Sequence, residues 1–161
     1  MAASPFTDEE VTELRRLLDI EKIRKLMQLY SHHIDGKDTD AALGLFAEDA
    51  VGEWGAFGTG RGHAEIRAII DQTERPAYQL MHCTTNFWVE LTGPDSAVGR
   101  SYLINMDGPE YGGLKFLALY DYDFRKKDGA WKFSRARLNI MWPDQALEPG
   151  FPRAMPASAS I

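Results

Sequence analysis

Asp35, His82 and Tyr30 are the residues of this sequence whose types best suit acid–base chemistry. Asp35 closes a polar cluster with His32 and His33 just before Gly36. The cluster ends a segment in which Ile20, Ile23, Leu26, Met27, Tyr30 and Ile34 recur at helical spacing, so one stripe of that helix must be buried. A carboxylate on the last turn of such a helix is poorly placed for stability. Burial disfavours its charge, and the negative end of the helix dipole repels it. Such a group is either paired or used. A neutral imidazole such as His82, with an ordinary pKa near about 6.5, takes a proton next to an electron-withdrawing group. A carboxylate on its other ring nitrogen would fix the tautomer and stabilise the imidazolium that forms. A tyrosine hydroxyl such as Tyr30 would polarise a carbonyl or assist a leaving group. That set suits β-elimination or proton transfer, and neither reaction requires a metal or a redox cofactor.

Each residue also has a plainer reading. A lone histidine on a strand is more often a hydrogen-bonded core or interface residue than a base. Asp35 can serve as a local cap beside Gly36, and its phase falls about 120° from the centre of the apolar stripe on an ideal helix. His33 lies nearer that stripe. Tyrosines at helical core positions usually pack.

Other candidates carry less. His32 and His33 are adjacent, so their side chains diverge, and no His-x-x-x-His pairing supports a metal site. Cys83 alternates to the face opposite His82, which disfavours a Cys–His nucleophile pair. Gly58, Gly60 and Gly62 lack dinucleotide-fingerprint spacing and read as turn glycines. Lys126-Lys127 reads as a solvated hairpin tip. Trp54, Phe57, Trp88, Phe116, Tyr120, Tyr122 and Trp142 exceed what packing demands, and some are expected to line a cavity for a flat apolar ligand.

The elements that must position these residues follow from patterning. With 161 residues, 44% hydrophobic and 11% aromatic, the chain suits one domain with a real core. A formal charge of −6 argues against affinity for nucleic acid or anionic membranes. The single cysteine, Cys83, excludes an internal disulfide. No apolar run reaches membrane-spanning length and no signal pattern opens the chain, so a cytoplasmic protein is expected. Thr7 and Glu10 form a capping box, with Phe6 and Val11 as its staple. The stripe Val11, Leu14, Leu17 and Leu18 points about 160° from the Ile20–Ile34 stripe at about 100° per residue, so a helix break is expected near Asp19. Gly36 suits a left-handed helix end. Asp38 or Thr39 caps a short third helix carrying Ala42, Leu43, Leu45 and Phe46. Val51 to Gly62, with five glycines, reads as a hairpin or irregular strand pair, and Ile66, Ile69 and Ile70 mark another helix.

From Gln79 the period changes to that of strands. Gln79–Leu91, Ala97–Met106, Lys115–Arg125 and Trp131–Trp142 are separated by Gly93-Pro94-Asp95, Asp107-Gly108-Pro109 and Lys127-Asp128-Gly129. Helices followed by antiparallel strands indicate an α+β domain over 1–143. Its long, mostly antiparallel sheet would curl around the N-terminal helices and leave a cone-shaped cavity. Residues 144–161 hold three prolines and show no period, and read as a tail.

The run Asp19-Ile-x-x-Ile-x-x-Leu-x-x-x-Tyr30-x-x-x-x-Asp35-Gly-Lys-Asp, then Leu-x-x-x-Phe and Phe-Ala-Glu-Asp-Ala-Val, resembles the SnoaL-like family of the nuclear transport factor 2-like superfamily. Gly58-Thr-Gly-Arg-Gly-His-Ala-Glu-Ile66, Met81-His82-Cys-Thr-Thr-Asn86 and Gly129-x-Trp131-Lys-Phe133 continue the likeness, which spans roughly Asp19 to Trp142. The family includes scytalone dehydratase, hexachlorocyclohexane dehydrochlorinase, bile acid 7α-dehydratase, ketosteroid isomerases and polyketide cyclases. The resemblance implies a cystatin-like cone. It also implies a catalytic pair at Asp35 and His82, with Tyr30 as the helical tyrosine. Near Asn139, where the bile acid branch carries an arginine, this chain has none, although Arg135 and Arg137 lie close by.

Two functions fit. One is a cofactor-independent, dehydratase-like lyase or isomerase acting on a small hydrophobic cyclic substrate. His82 would be its base and Asp35 the partner of that base, while Trp54, Phe57, Trp88, Phe116 and Asn139 would bind the substrate. The other is a non-catalytic ligand-binding or assembly module of the same fold. The long strands carry apolar residues on both faces, so a homodimer or homotrimer joined through the outer sheet face is expected.

Overall fold

The structure, a computed structural model, describes residues 5–74, 80–108 and 114–142. Helix α1 (Asp8–Asp35) opens with the expected capping box, in which Thr7 and Glu10 satisfy each other's backbone amides. Helix α2 (Thr39–Gly44), capped by Asp38, is shorter than its sequence pattern, since Phe46 already starts strand β1 (Phe46–Glu53). A one-turn 3₁₀ segment (Gly55–Phe57) and strand β2 (Thr59–Arg61) lead into helix α3 (Gly62–Thr73). Strands β3 (Leu80–Gly93), β4 (Ser96–Asp107), β5 (Leu114–Lys127) and β6 (Ala130–Trp142) follow as a meander. They form one curved, open six-stranded sheet in the order β2-β1-β6-β5-β4-β3, antiparallel except where β1 runs parallel to β6. The sheet wraps the helices as the α+β cone expected from the sequence. Among the described residues no helix is long and apolar enough to cross a membrane. The expected 144–161 tail lies outside them.

The inner face of the sheet meets α1 and α3. There Tyr30, Phe46, Tyr120, Tyr122, Phe124 and Phe133 pack as one aromatic block, with neighbouring ring centroids 5.0 Å (Phe46–Phe133) to 6.4 Å (Tyr30–Tyr120) apart. Such offset and edge-on pairs add to the burial energy of the rings themselves. On β5 and β6 the outer face alternates with this one, so Leu117, Leu119 and Asn139 point away from the helices.

Three sequence expectations are corrected. Helix α1 does not break at Asp19 but continues through it, and Asp19 instead binds Lys126 Nζ of the β5–β6 hairpin at 2.8 Å. That lysine, expected at a solvated tip, lies 5.5 Å over the Trp131 ring. The two opposed stripes of α1 coexist because only one is buried. Ile23, Leu26, Met27, Tyr30 and Ile34 are in the core, whereas Leu14, Leu17 and Leu18 are exposed. The left-handed residue after α1 is Lys37 (φ 60°), not Gly36 (φ −77°).

A straight α1 with one buried stripe separates two substitutions. In urea unfolding, Leu17→Ser should change stability by no more than about 0.5 kcal/mol, while Met27→Ala should cost about 2–5 kcal/mol. A large loss from Leu17→Ser would place that stripe inside a core.

Candidate active site

Helix α1 crosses the sheet at the edge strand β3. Two side-chain contacts dock it there: Ser31 Oγ to Thr84 Oγ1 at 3.4 Å, and Asp35 to His82. Four residues of helix rise about 6 Å and two of strand about 6.6 Å. The two contacts therefore stay in step along elements that run in opposite directions. Asp35 binds His82 three times. Both carboxylate oxygens accept from the His82 backbone N–H (3.2 and 3.0 Å), and Oδ1 lies 2.6 Å from ring Nδ1. Among the described residues β3 has no strand beyond it, so that N–H would otherwise lack a partner there.

The carboxylate accepts only, so Nδ1 carries the ring proton and Nε2 keeps its lone pair. Nε2 is 3.0 Å from Asn105 Nδ2 of β4, which then donates to it. Asn105 is wholly buried, and its Oδ1 has no hydrogen-bond partner among the described residues. An imidazolium would instead present an N–H to that oxygen after a flip of the amide. Asn105 therefore fits either protonation state of His82, given one rotation. The His82 side chain is 4% exposed and that of Asp35 25%, because Asp35 also borders an outer groove beside His32 and Thr85.

His82, Tyr30, Trp54, Phe57 and Phe116 line one internal cavity of about 10 Å³, together with Glu74 and Tyr120. That is room for about one water. Phe57 and Phe116 close it, with ring centroids 5.8 Å apart. Phe57 is half-buried on the 3₁₀ turn between Gly55 (φ 56°) and Gly58 (φ 118°), conformations that favour glycine. Trp54 lies flat over Gly52, where a Cβ would fall 2.0 Å from the indole. Burial pushes the Tyr30, Tyr120 and Tyr122 phenols up, and the charge of Glu74 adds to this at Tyr30 and Tyr120.

Two expected ligand contacts are corrected. Trp88 pairs with Arg100, on the outer face. A bulge at Asn86 (φ 54°) puts an extra residue into β3 and reverses its alternation, so Met81 and Cys83 share a face with Trp88 rather than with Phe87 and Val89. Asn139 pairs with Leu119, on the face opposite the cavity residue Leu138. Asn105 and Glu74 were not among the expected site residues, whereas Tyr120 was one of the aromatics of which some were expected to line the cavity. For Asn105 the signal was a lone amide in the apolar run Leu103-Ile104-Asn105-Met106. Its partner depends on the bulge, since the register held from Leu91 to Trp88 would otherwise bring Met106 opposite His82.

The chain matches the SnoaL-like domain over residues 15–137. It belongs to the SnoaL-like family. A Novosphingobium aromaticivorans structure, titled as that of a candidate aromatic ring hydroxylase, is 30% identical, with a TM-score of 0.71 over 79% of this chain and 92% of that one. An NTF2-like protein with a cystatin-like fold from the same species is 24% identical, with a TM-score of 0.79 over 88% and 94%. Hexachlorocyclohexane dehydrochlorinase LinA-type3 from Novosphingobium barchaimii LL02 is 20% identical, with a TM-score of 0.74 over 81% and 91%. The last two likenesses are of fold. No curated protein sequence matches the chain. Among the described residues of this SnoaL-like domain, no group of three His, Cys, Asp or Glu side chains is arranged to hold a metal ion.

Asn86 tests the register. Asn86→Gly keeps the bulge and should leave the fold and the His82 environment unchanged. Deleting Asn86 should remove the extra residue and leave Asn105 opposite His82, detected as retained Asn105–His82 side-chain contacts in NMR. Loss of those contacts would contradict the bulge account.

Proposed function

We propose that this SnoaL-like protein is a cytoplasmic, cofactor-independent lyase or isomerase of dehydratase type, acting on a small hydrophobic cyclic substrate. The observation that carries the reading is the 2.6 Å contact between Asp35 Oδ1 and His82 Nδ1, which leaves the Nε2 lone pair to the Asn105 amide, on a ring that lines the cavity. In this reading the substrate displaces the Asn105 amide from Nε2, and His82 takes a proton from carbon. The electrons of that C–H bond form a double bond as a leaving group departs on the neighbouring carbon, or pass into a conjugated carbonyl in an isomerisation. Asp35 stabilises the imidazolium. A phenol hydroxyl at Tyr30 or Tyr120 donates a hydrogen bond to the departing or carbonyl oxygen. Entry requires Phe57 to swing from Phe116 on its glycine-flanked turn.

One observation favours the second reading, a non-catalytic module: the cavity holds no more than about one water with Phe57 in place. Solvent deuterium exchange separates the two. The protein should exchange the α-protons of at least one member of a panel of cyclic ketones. His82→Ala should slow that exchange by about 10²–10⁴-fold. Absence of exchange across the panel, in wild type and in Phe57→Ala alike, would favour the module.

We further propose that a second or third copy covers the outer sheet face, on which Met81, Tyr102, Ile104 and Leu117 are exposed. On neighbouring strands Arg135 pairs with Glu53, so the rim carries both signs and suits a copy of itself. Light scattering should give two or three times 18.1 kDa, and Ile104→Lys should return the monomer. A wild-type monomer at micromolar concentration would refute this.

A further inference from the structure

Glu74 stands at the end of α3, where its N–H completes the helix by donating to Ile70 O. Its side chain lines the same cavity as His82, Tyr30 and Tyr120. Carboxylate oxygen Oε2 is fully buried and meets no hydrogen-bond donor among the described residues. Lys37 Nζ donates to the Glu74 backbone carbonyl at 2.5 Å and makes no hydrogen bond to Oε2. The helix dipole also opposes a negative charge at this end. A buried acceptor left open at this cost is accounted for by a donor that arrives with a ligand.

The neighbouring hydroxyls supply the complement. Tyr30 and Tyr120 line the same cavity, with ring centroids 6.4 Å apart, and Trp54 stands beside them. Each phenol carries one proton to donate. Glu74 is close enough for its charge to push both phenols up, yet Oε2 bonds to neither. The residues of the cavity wall therefore include an open acceptor and two phenols that can donate.

We propose that Glu74 is a specificity-determining residue that selects a ligand bearing a ring hydroxyl, which donates to Glu74 and accepts from the Tyr30–Tyr120 pair. A carbonyl or ether oxygen accepts only, so it would leave Oε2 buried and unanswered. The inference rests on the proposed ring-binding function of this cavity, and it assigns the substrate to cyclic alcohols, the class from which a dehydratase removes water.

Calorimetric titration of the full chain with 2-naphthol and with 2-methoxynaphthalene tests it. The ring system is shared, and only the donor differs. Wild type should bind 2-naphthol at least about tenfold more tightly, the scale of one hydrogen bond to a charged group. Glu74→Leu should abolish that preference while retaining 2-methoxynaphthalene binding, and Glu74→Asp should restore part of it. Equal binding of both probes by wild type, or an undiminished preference in Glu74→Leu, would overturn the assignment of Glu74 and leave the ring-binding reading intact. Should neither probe bind wild type or Phe57→Ala, whose cavity mouth is enlarged, the ring-binding reading itself would fall, and this inference with it.

Discussion

Asp35 holds the edge strand β3 against the end of α1 with three hydrogen bonds, and the rest of the site takes its geometry from that clamp. The two bonds to the His82 amide fix the backbone, and the third fixes the ring. A surface pair of this kind would contribute little. Here the imidazole is 4% exposed, and loss of the carboxylate would leave a buried N–H and a ring nitrogen without partners. The arrangement also answers the charge placed on the last turn of a buried helix. Asp35 is stabilised by donors from the strand, at a helix end that would otherwise repel it.

The clamp divides the site into two sides. On one, Asp35 borders an open groove beside His32 and Thr85. On the other, His82 joins a small cavity walled by aromatic rings. A proton taken at Nε2 thus stays on a ring that is 4% exposed, where electrostatic contacts are stronger than in water. Its counter-charge sits at the solvent boundary. Asn105 completes the arrangement by occupying Nε2 until something else does, which keeps a buried lone pair satisfied without committing the ring to one protonation state.

Much of this was legible in the residues. The Thr7–Glu10 capping box, the buried Ile23–Ile34 stripe and the four long strands follow from local patterning and stand where the sequence put them. Asp35 looked misplaced, about 120° from the centre of the apolar stripe at about 100° per residue. The offset has a structural reason: its partner is the edge strand beside the helix, not the sheet centre beneath it. What was not legible depends on relations between elements. The stripe of Leu14, Leu17 and Leu18 suggested a break because burial of both faces was assumed, and the helix leaves one of them exposed. Trp88 and Asn139 were assigned inward without a known phase. The bulge at Asn86 sets the face of Trp88 and keeps Asn105 rather than Met106 opposite His82. A single polar residue in an apolar strand marks a site, but only register names its partner.

Asp35 fixes His82 as the Nδ1–H tautomer, with a lone pair at Nε2. Nitrogen-15 NMR of histidine-labelled protein at neutral pH reads this directly. The account predicts a protonated, pyrrole-type Nδ1 and an unprotonated, imine-type Nε2 for His82, with the distinction lost in Asp35→Ala. An Nε2–H tautomer in wild type, or an unchanged spectrum after removal of the carboxylate, would contradict it.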